Sequence, residues 1–493
     1  MNKTVKVIIL VYVAAFLLFS YSALAAEVQS KEDKDLEYLR SVMDMIKEKY
    51  KGEVTDKQLI EGALKGMFNS MDKYTVYYNS EESKKYIEEM EGNYEGIGVM
   101  LNKEDDYIMV VKVFNSSPAE RAGIAAGDKI VAADGKSLDG ISVDEAVALI
   151  KGKTGTEVAL EILRKGQPGT INVKVEREHI KIIPVSYEIR GGIGYIKLEA
   201  FNGNADEFLT KALEEMDGKN IKKIVLDLRD NPGGELEQAV AVAKKFVLEG
   251  LITKLDFKSE QVEDEEYYSD LKKTKYKLVV LVNGMSASAS EVVAGAIQDT
   301  EAGVLVGTKT FGKSKVQIMF PMLTPEAYKK YEEKLGVKLI NAYDLINNHQ
   351  VIPKQSEIIG WTKITIGEYT TPKGRVIDQV GLTPDIIVEN NHDTVNVQKL
   401  SVTTKPALNS EGTDVYIAEK ILKLSGYDVD TPDMKLDKKT FKAIAKFQKD
   451  QKMHSYGVLD FTTQKALNKM LNKLIFEMDK QYMKAVEELK MLF

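Results

Sequence analysis

The sequence predicts a multidomain α/β protein with helical regions at both ends, and three observations support this class. The chain has 493 residues, which is more than one hydrophobic core usually holds. Short strand patterns separated by turn residues fill residues 92–177, and buried strands alternate with helices over 180–391. Apolar residues recur at helical spacing in 33–91 and in 415–493.

Composition and charge limit the classes of function that fit this chain. Hydrophobic residues make up 44% of the chain and charged residues 29%, as in soluble globular proteins. The net charge of −7 and the lack of a basic tract give no support for nucleic-acid binding. Cysteine is absent, which fits an exported protein built without disulfides. No His, Cys, Asp and Glu cluster has ligand spacing, so we expect no metal and no organic cofactor.

Residues 1–26 have the pattern of a targeting segment. Lys3 and Lys6 precede an apolar run over residues 7–19, and small residues surround the expected cleavage site after Ala25. The run is shorter than the about 20 apolar residues of a membrane span. We therefore expect export to the extracytoplasmic face of the cell membrane or to the cell wall, with this segment either cleaved as a signal peptide or retained as an anchor.

Residues 33–91 predict packed helices. Thr55 and Gln58 have the spacing of a capping box, which marks a helix start. One helical face carries four apolar residues, Leu36, Leu39, Met43 and Ile46. The stretch 62–72 resembles the N-terminal region of the carboxy-terminal processing peptidases, a family identified below on stronger motifs. In some members that region serves dimerisation, so the resemblance implies a homodimer.

Residues 92–177 predict a compact β-rich unit. Predicted strands cover 107–113, 129–133, 157–163 and 170–176, and a Ser142/Glu145 capping box begins a helix. This order, with Ser117-Pro-Ala-Glu-Arg-Ala-Gly123, resembles a PDZ domain. In such a domain an exposed strand edge adds a peptide as an extra strand, and backbone amides hold its terminal carboxylate. The resemblance implies that the peptide-binding loop is formed by Gly96, Ile97, Gly98 and Val99.

A serine at a helix start is the candidate nucleophile of residues 180–391. Residues 278–282 predict a buried strand, Asn283-Gly284 breaks it, and a helical pattern follows. The free amides and dipole of a helix N-terminus favour the negative charge that develops when serine attacks a carbonyl. Ser286, Ser288 and Ser290 are the candidates.

A serine hydroxyl needs a base, and none of the 4 histidines lies in a segment shaped like a site. Lysine can replace histidine when burial lowers its pKa from about 10.4 towards 7 or 8. Lys313, behind the Phe311-Gly312 turn, is the candidate. With 68 lysines and arginines in the chain, a serine and a lysine close in sequence are a weak indication by themselves.

A longer pattern strengthens the assignment. The run Ser286-Ala-Ser-Ala-Ser-Glu291, followed by Gly307-Thr-Lys-Thr-Phe-Gly-Lys313 and Gln317, resembles the signature of the carboxy-terminal processing peptidases, a family of Ser/Lys serine proteases. The resemblance implies that Ser288 is the nucleophile, that Lys313 is the base and that Gln317 orients the lysine. It also implies substrates that are proteins or peptides with exposed C-terminal tails.

The turn after residues 224–228 is the second motif of this core. Asn231-Pro-Gly-Gly234 follows a predicted buried strand, and its glycines let backbone amides approach a ligand closely. An ordinary strand-to-helix turn is the alternative interpretation. The family resemblance implies an oxyanion hole formed by the amides of Gly233, with Gly234 as the alternative, and Ala289.

Residues 322–359 depart from the family pattern because they are longer than its usual connection. Thr324-Pro325-Glu326 starts a charged helix directly after Lys313 and Gln317 in sequence. We consider two roles equally: an insertion that covers the site or shapes its substrate channel, and a solvated surface excursion.

The C-terminal part predicts a linker at 401–414, a three-helix domain at 415–471 and an amphipathic helix at 472–493. The pieces Leu424-Ser-Gly-Tyr427 and Gly457-Val-Leu-Asp460 resemble a peptidoglycan-binding domain, although Asp433-Met-Lys-Leu436 stands where an Asp-Gly loop is common. The resemblance implies peptidoglycan as a partner, and a plain helical cap is the alternative. The apolar face of the last helix must be buried in this chain or in a partner.

The sequence thus favours an exported serine endopeptidase that captures protein tails and cleaves them through an acyl-enzyme. The main alternative is a non-catalytic adaptor whose PDZ and wall-binding domains tether partners. An acyl hydrolase of small esters would share the Ser/Lys chemistry, but it would leave the PDZ domain unexplained.

Overall fold

A computed structural model describes residues 34–104, 106–114, 116–164, 167–258, 263–339, 341–389 and 397–491. The expected targeting segment lies outside these residues. In the described part, no helix is long and apolar enough to cross a membrane. The chain divides into two compact units. Among the described residues, one unit draws on 34–83 and Gln317–Thr365, and the other on Lys84–Val316 and 366–491.

Helices lie at both ends of the chain and between the strands. They are α1 (34–49), α2 (Asp56–Asn69), α3 (Ser80–Glu91), α4 (Pro118–Arg121), α5 (Val143–Ile150), α6 (Ala205–Gly218), α7 (Leu236–Ala243), α8 (Ala289–Asp299), α9 (Pro325–Leu335), α10 (Ala342–Asn347), α11 (Thr413–Leu424), α12 (Lys438–Asp450), α13 (Phe461–Met478) and α14 (Lys480–Met491). A short 3₁₀ turn covers Gln355–Glu357.

The strands lie between Val76 and Ile387. They are β1 (Val76–Asn79), β2 (Asn93–Gly96), β3 (Val99–Glu104), β4 (Tyr107–Val113), β5 (Lys129–Ala133), β6 (Lys136–Ser137), β7 (Glu157–Leu163), β8 (Thr170–Glu176), β9 (Glu178–Lys181), β10 (Val185–Arg190), β11 (Ile193–Leu198), β12 (Lys223–Asp227), β13 (Gly250–Phe257), β14 (Glu265–Ser269), β15 (Lys277–Val282), β16 (Val304–Gly307), β17 (Lys315–Leu323), β18 (Ile358–Thr370) and β19 (Ile386–Ile387).

The first unit combines N-terminal helices with the expected insertion. Both halves of the Thr55/Gln58 capping box are formed at the start of α2, which confirms that prediction. Strand β1 pairs antiparallel with β18, so that Val76 lies opposite Lys363. The insertion carries α9 and α10 on a small core of its own. Because this core includes the buried side chains of Tyr331 and Leu345, the segment is a folded part of its unit.

The β-rich domain predicted at 92–177 is a sheet in the order β3-β4-β5-β7-β8, with β6 paired to β5. Helix α5 begins at the predicted Ser142/Glu145 capping box, where both reciprocal bonds are formed. Its core is aliphatic and includes Ile108, Val110, Ile130, Val158 and Ile162. Strand β3 lies at the edge of the sheet, as peptide addition requires.

A six-stranded sheet in the order β10-β11-β12-β15-β16-β19 forms the catalytic core. In this sheet β11, β12, β15, β16 and β19 run parallel to one another, and β10 is antiparallel to β11. Successive side chains of a strand point to opposite faces, and each face here has its own apolar cluster. The loops that follow β12, β15 and β16 leave the same edge of the sheet, because parallel strands end together.

Three helices, α11, α12 and α13, form the C-terminal domain around a core that includes Ile421, Phe447 and Leu467. Asp437 caps α12 and Asp460 caps α13, each accepting from backbone amides of its first turn. The predicted domain boundary at residue 472 falls inside α13, which runs to Met478.

The last helix, α14, covers one face of the catalytic sheet. Tyr482, Ala485 and Leu489 are buried against Val225 and Leu281 of the central strands. The apolar face predicted from the sequence is therefore buried within this chain. The chain changes direction at Asp479, where φ is −76° and ψ is 95°, so the predicted single helix over 472–493 is two helices.

Candidate active site

The candidate nucleophile lies in the turn between β15 and α8. Asn283 follows the strand, and its amide donates to Ser286 Oγ at 3.0 Å. The Asn283 side chain accepts from the amide of Met285 at 3.0 Å, which tightens the turn. Helix α8 then begins at Ala289 with Ser288 as its N-cap residue. This is the strand, turn and helix order that the sequence predicted.

The structure distinguishes the three candidate serines. Ser286 Oγ donates to the carbonyl of Leu228 at 2.8 Å, and Ser290 Oγ donates to the carbonyl of Asn231 at 2.9 Å. Both residues are fully buried, at 0% exposure. Their hydroxyls connect the nucleophile turn to the neighbouring turn after β12. Ser288 is partly exposed, so it is the serine of the three that a substrate can reach.

Ser288 also carries backbone strain. Its φ of 55° and ψ of −117° lie in a region that residues other than glycine rarely adopt. Such a conformation costs on the order of 1–3 kcal/mol and persists only where surrounding contacts hold it. A strained serine between a strand and a helix presents its hydroxyl clear of the backbone, as in hydrolases with a nucleophile elbow.

Glu291 connects the candidate nucleophile, Ser288, to the predicted base, Lys313. One carboxylate oxygen, Oε2, accepts from the amide of Ser288 and from the amide of Lys313, each at 2.9 Å. The other oxygen, Oε1, accepts from the amide of Gly312 at 2.8 Å and from Thr310 Oγ1 at 2.6 Å. A single oxygen atom, Glu291 Oε2, therefore links the backbone amides of Ser288 and Lys313 through two hydrogen bonds.

Burial and hydrogen bonding act in opposite directions on Glu291. Its side chain is fully buried, and burial raises the pKa of the carboxyl above its ordinary value although the hydrogen bonds from Thr310 and three backbone amides act to lower it. Backbone amides can only donate, and the carboxyl lies in the first turn of α8, where the helix dipole favours negative charge. On these grounds we treat Glu291 as a carboxylate in the folded enzyme.

Tyr369, on β18, is a second connection between the same two residues. Its hydroxyl lies 2.9 Å from the carbonyl oxygen of Ser288 and 2.7 Å from that of Lys313. One hydroxyl proton can satisfy one carbonyl at a time. Tyr369 is buried, at 2% exposure, so the hydroxyl is fixed between the two backbones.

The turn after β12 packs directly against the nucleophile. A Cβ added to Gly233, whose φ is 107°, would lie 2.8 Å from Ala287 O and 2.9 Å from Ser288 Cβ. The Gly233 amide donates to Asn231 Oδ1 at 2.9 Å. Within the described residues no hydrogen bond uses the amides of Gly234 or Ala289. The geometry therefore favours Gly234, the alternative named from the sequence, as the second oxyanion donor, and the oxyanion assignment stays a prediction.

Gln317 lies in the compact unit that holds the N-terminal helices and the insertion. Its Nε2 donates to Thr365 Oγ1 at 3.3 Å, and the amide of Thr365 donates to Thr75 Oγ1 at 3.1 Å. These bonds fix the glutamine side chain within its own unit. Its role in orienting Lys313 stays a prediction.

The predicted peptide-binding loop joins β2 to β3. Gly96 ends β2 and Val99 begins β3, while Ile97 is buried and Gly98 has a φ of 80°. The carbonyls of Ile97 and Gly98 accept from amides of the same domain at 2.9 Å. A loop whose carbonyls are bonded inward directs its amides elsewhere, as capture of a carboxylate requires. The assignment of these four residues stays a prediction.

Sequence reasoning gave no role to Glu291 or Tyr369. The spacing of Ser288 and Glu291 matches a capping box, and this signal could have singled out the glutamate. Tyr369 has no comparable signal, since its partners Ser288 and Lys313 lie far from it in sequence and meet it only in the fold.

Four family models match the chain. They are Peptidase family S41 over residues 192–388, a PDZ domain over 96–175, the Activating protease CtpB N-terminal domain over 19–82 and a peptidoglycan binding domain over 411–467. These matches confirm the PDZ domain, the peptidase core and the C-terminal domain that the sequence predicted.

Two curated proteins match most of the length of this chain. Carboxy-terminal processing protease CtpA of Bacillus subtilis (strain 168) is 32% identical over 501 residues, covering 99% of each chain. Carboxy-terminal processing protease CtpB of the same organism is 29% identical over 455 residues, covering 91% of this chain and 87% of the relative. Among solved structures, a photosystem II D1 C-terminal processing protease is 24% identical, with a TM-score of 0.38 over 72% of this chain and 87% of that one. With its PDZ domain and S41 core, the chain belongs to the family of carboxy-terminal processing proteases.

Proposed function

We propose that this protease is an exported endopeptidase that cleaves peptide bonds through an acyl-enzyme on Ser288, with Lys313 as the base. The observation that carries the proposal is the selection of Ser288. It is the partly exposed, strained serine of the three, and Glu291 and Tyr369 hold its backbone to that of Lys313. The other two serines use their hydroxyls inside the fold.

The first half of the reaction forms the ester. Ser288 Oγ attacks the carbonyl carbon of the substrate while the neutral Lys313 amine accepts the hydroxyl proton. The negative charge on the carbonyl oxygen is stabilised by the free amide of Ala289, at the N-terminus of α8, and by an amide of the Gly233-Gly234 turn. The carbon–nitrogen bond then breaks, and Lys313 returns the proton to the leaving amine.

The second half releases the product. Water attacks the ester carbon, and Lys313 accepts a proton from the water. The ester bond to Oγ breaks, a new carboxylate terminus leaves, and the proton returns to Ser288. Glu291 takes no part in these proton transfers, because it is fully buried and its oxygens accept from three backbone amides of the site and from Thr310 Oγ1.

Labelling by a fluorophosphonate probe tests this function against a non-catalytic adaptor. We expect covalent labelling at Ser288, identified by mass spectrometry, together with cleavage of a protein that ends in a free, unstructured apolar tail. An adaptor would bind the same tail without labelling or cleavage. Labelling and ester hydrolysis without any peptide cleavage would instead favour the small-ester hydrolase.

The PDZ domain is proposed to select substrates by their terminal carboxylate. Charge-assisted hydrogen bonds contribute about 1.5–3 kcal/mol each, and 1.4 kcal/mol corresponds to a tenfold change in affinity. Amidating the C-terminus of a tail peptide should therefore weaken binding by roughly 10- to 100-fold, measured by fluorescence anisotropy on the Ser288→Ala protein. Equal affinity for the free and amidated peptides would contradict carboxylate recognition by Gly96 to Val99.

Export and wall attachment complete the proposal. Lys3, Lys6 and the apolar run after them support export, and the match of residues 411–467 to a peptidoglycan binding domain supports attachment to the cell wall. Fractionation of the producing cell should place the protein outside the cytoplasm, and N-terminal sequencing should show whether the chain begins after Ala25. Co-sedimentation with purified peptidoglycan tests the attachment.

We also propose a homodimer through the N-terminal helices. Leu36 and Leu39, on the face predicted from the sequence, are 65% and 55% exposed. Exposed leucines on one helical face are typical of an interaction surface. Sedimentation equilibrium should give twice the chain mass, and Leu36→Glu with Leu39→Glu should give the monomer.

A further inference from the structure

We propose that Asp479, at the break between α13 and α14, is a positioning residue. Through Arg229 it fixes the turn formed by residues 231–234, which is proposed to bind the oxyanion and is called the oxyanion turn below. The inference rests on the proposed function, because the turn that it concerns is the one assigned to the oxyanion. It adds a residue of the C-terminal segment, outside every motif of the peptidase core, to the parts that shape this turn.

Arg229 is the centre of a buried ionic network. Its Nε and Nη2 donate to the two carboxylate oxygens of Asp227, at 2.9 and 2.5 Å. The same Nη2 lies 2.7 Å from Asp479 Oδ2, and Nη1 donates to Gln481 Oε1 at 3.0 Å. The side chains of Arg229, Asp227 and Asp479 are 12%, 1% and 10% exposed. Charge pairs shielded from water to this degree are weakened little by salt.

The charges of this network depend on one another. Burial by itself would lower the pKa of Arg229, and the carboxylates of Asp227 and Asp479 outweigh that effect and raise it. Tyr195 donates its hydroxyl to Asp227 at 2.7 Å, so one carboxylate already has a second partner. If Asp479 loses its charge, Arg229 keeps only one ionic partner in the network.

Arg229 lies two residues before the oxyanion turn in sequence. The next residue, Asp230, donates its amide to Asn283 Oδ1 at 3.0 Å, and Asn283 Nδ2 donates back to Asp230 Oδ1 at 2.8 Å. Asn283 is the first residue of the nucleophile turn. A shift of Arg229 would therefore be transmitted both to Gly233-Gly234 and to the turn that carries Ser288.

Packing alone does not fix the turn on this side. Arg229, Asp230 and Asn283 line a cavity of about 350 Å³, which Asp479 and Phe476 also border. Elsewhere in the core, close-packed side chains fix the position of a residue. Because open space adjoins Arg229, its position depends on its hydrogen bonds and ion pairs. The C-terminal helices contribute Asp479 and Gln481 to the network. Of these two residues, Asp479 is the one with a full negative charge.

Asp479 is itself held in place. Its Oδ1 accepts from the amide of Tyr482 at 2.9 Å and so caps α14, while its amide donates to Ile475 at the end of α13. Phe476, one turn earlier, packs its ring against Tyr195 and Tyr482 at centroid distances of 4.8 Å. The carboxylate thus reaches Arg229 from a fixed backbone, which is what a positioning residue requires.

Asp479→Asn in the full-length protein tests the inference. Asparagine keeps the capping oxygen and the size of the side chain but removes the charge. We expect hydrogen exchange at the hydrogen-bonded amides of residues 229–234 to become at least about tenfold faster, because their local opening becomes easier. These amides are those of Arg229, Asp230, Asn231 and Gly233. We expect kcat to fall by about 10- to 100-fold with KM within about twofold, because displaced transition-state contacts lower kcat at unchanged ground-state binding.

Asp460→Asn is the matched control. Asp460 also caps a C-terminal helix, with Oδ1 accepting from Thr463 at 2.7 Å, but it has no part in the Arg229 network. This variant should leave exchange at 229–234 and kcat unchanged. Unchanged exchange in Asp479→Asn, or equal changes in both variants, would overturn the inference. Faster exchange in a protein whose wild type cleaves nothing would support the positioning contact and refute the proposed function instead.

Discussion

Ser288→Ala is expected to abolish peptide cleavage, with a loss of roughly 10⁶-fold in kcat, as when the nucleophile of other serine proteases is removed. Lys313→Ala should cause a comparable loss, because the hydroxyl then has no base. Members of one catalytic group act as a unit, so the double variant should be no worse than either single one. Initial rates on a tail peptide, with circular dichroism to verify folding, measure the effect.

Neighbouring residues provide controls for both changes. Ser286→Ala and Ser290→Ala remove hydroxyls that bond buried carbonyls, so each should cost about 1 kcal/mol of stability and retain fluorophosphonate labelling. Lys309→Ala removes an exposed lysine four positions before Lys313 and should leave the rate unchanged. Full activity of purified Lys313→Ala would refute the Ser/Lys assignment.

Gly233→Ala should inactivate the enzyme by displacing its nucleophile. The added Cβ would lie 2.8 Å from the backbone oxygen of Ala287 and 2.9 Å from Ser288 Cβ, and the φ of 107° is strained for alanine. A backbone contact cannot move cheaply, so the nucleophile turn must shift. A misplacement of about 1 Å can cost roughly 100-fold in rate. We expect at least that loss in kcat/KM, and about 1–3 kcal/mol less stability from the strained backbone.

Gly284→Ala is the control for this substitution. Gly284 lies in the nucleophile turn itself, but an added Cβ would come no closer than 3.8 Å to a neighbour, the backbone oxygen of Lys309. Its rate should stay within about twofold of wild type, since surface changes away from special contacts have small effects. Equal losses of rate in Gly233→Ala and Gly284→Ala would contradict this explanation. The contact between the Cβ added at position 233 and Ser288 would then not account for the loss.

Local signals made most of the fold predictable. The capping boxes at Thr55 and Ser142 depend on residues three apart, and the structure forms both. The β-branched run before Asn283 can be buried only as a strand, because it is too short for a helix and is followed by a turn. For the same reason the three candidate serines, Ser286, Ser288 and Ser290, could be placed near a helix start from the sequence.

Contacts between distant parts of the chain could not be predicted. Tyr369 and Ser288 are far apart in sequence, and no pattern near Tyr369 indicates that its hydroxyl contacts the carbonyl of Ser288. The apolar spacing of the C-terminal segment continues through Asp479, so it gives no sign of the break there or of the ion pair between Asp479 and Arg229. The Gly233 amide is occupied by the side chain of Asn231, a detail that two adjacent glycines cannot reveal in a sequence.

The position of α14 has a consequence for how the protein matures. The strands that it covers are synthesised long before residues 480–491, so a nascent chain displays the apolar Val225, Val279 and Leu281 until translation has passed the last helix. The apolar cluster on this face of the sheet is therefore complete only after the last helix has been synthesised.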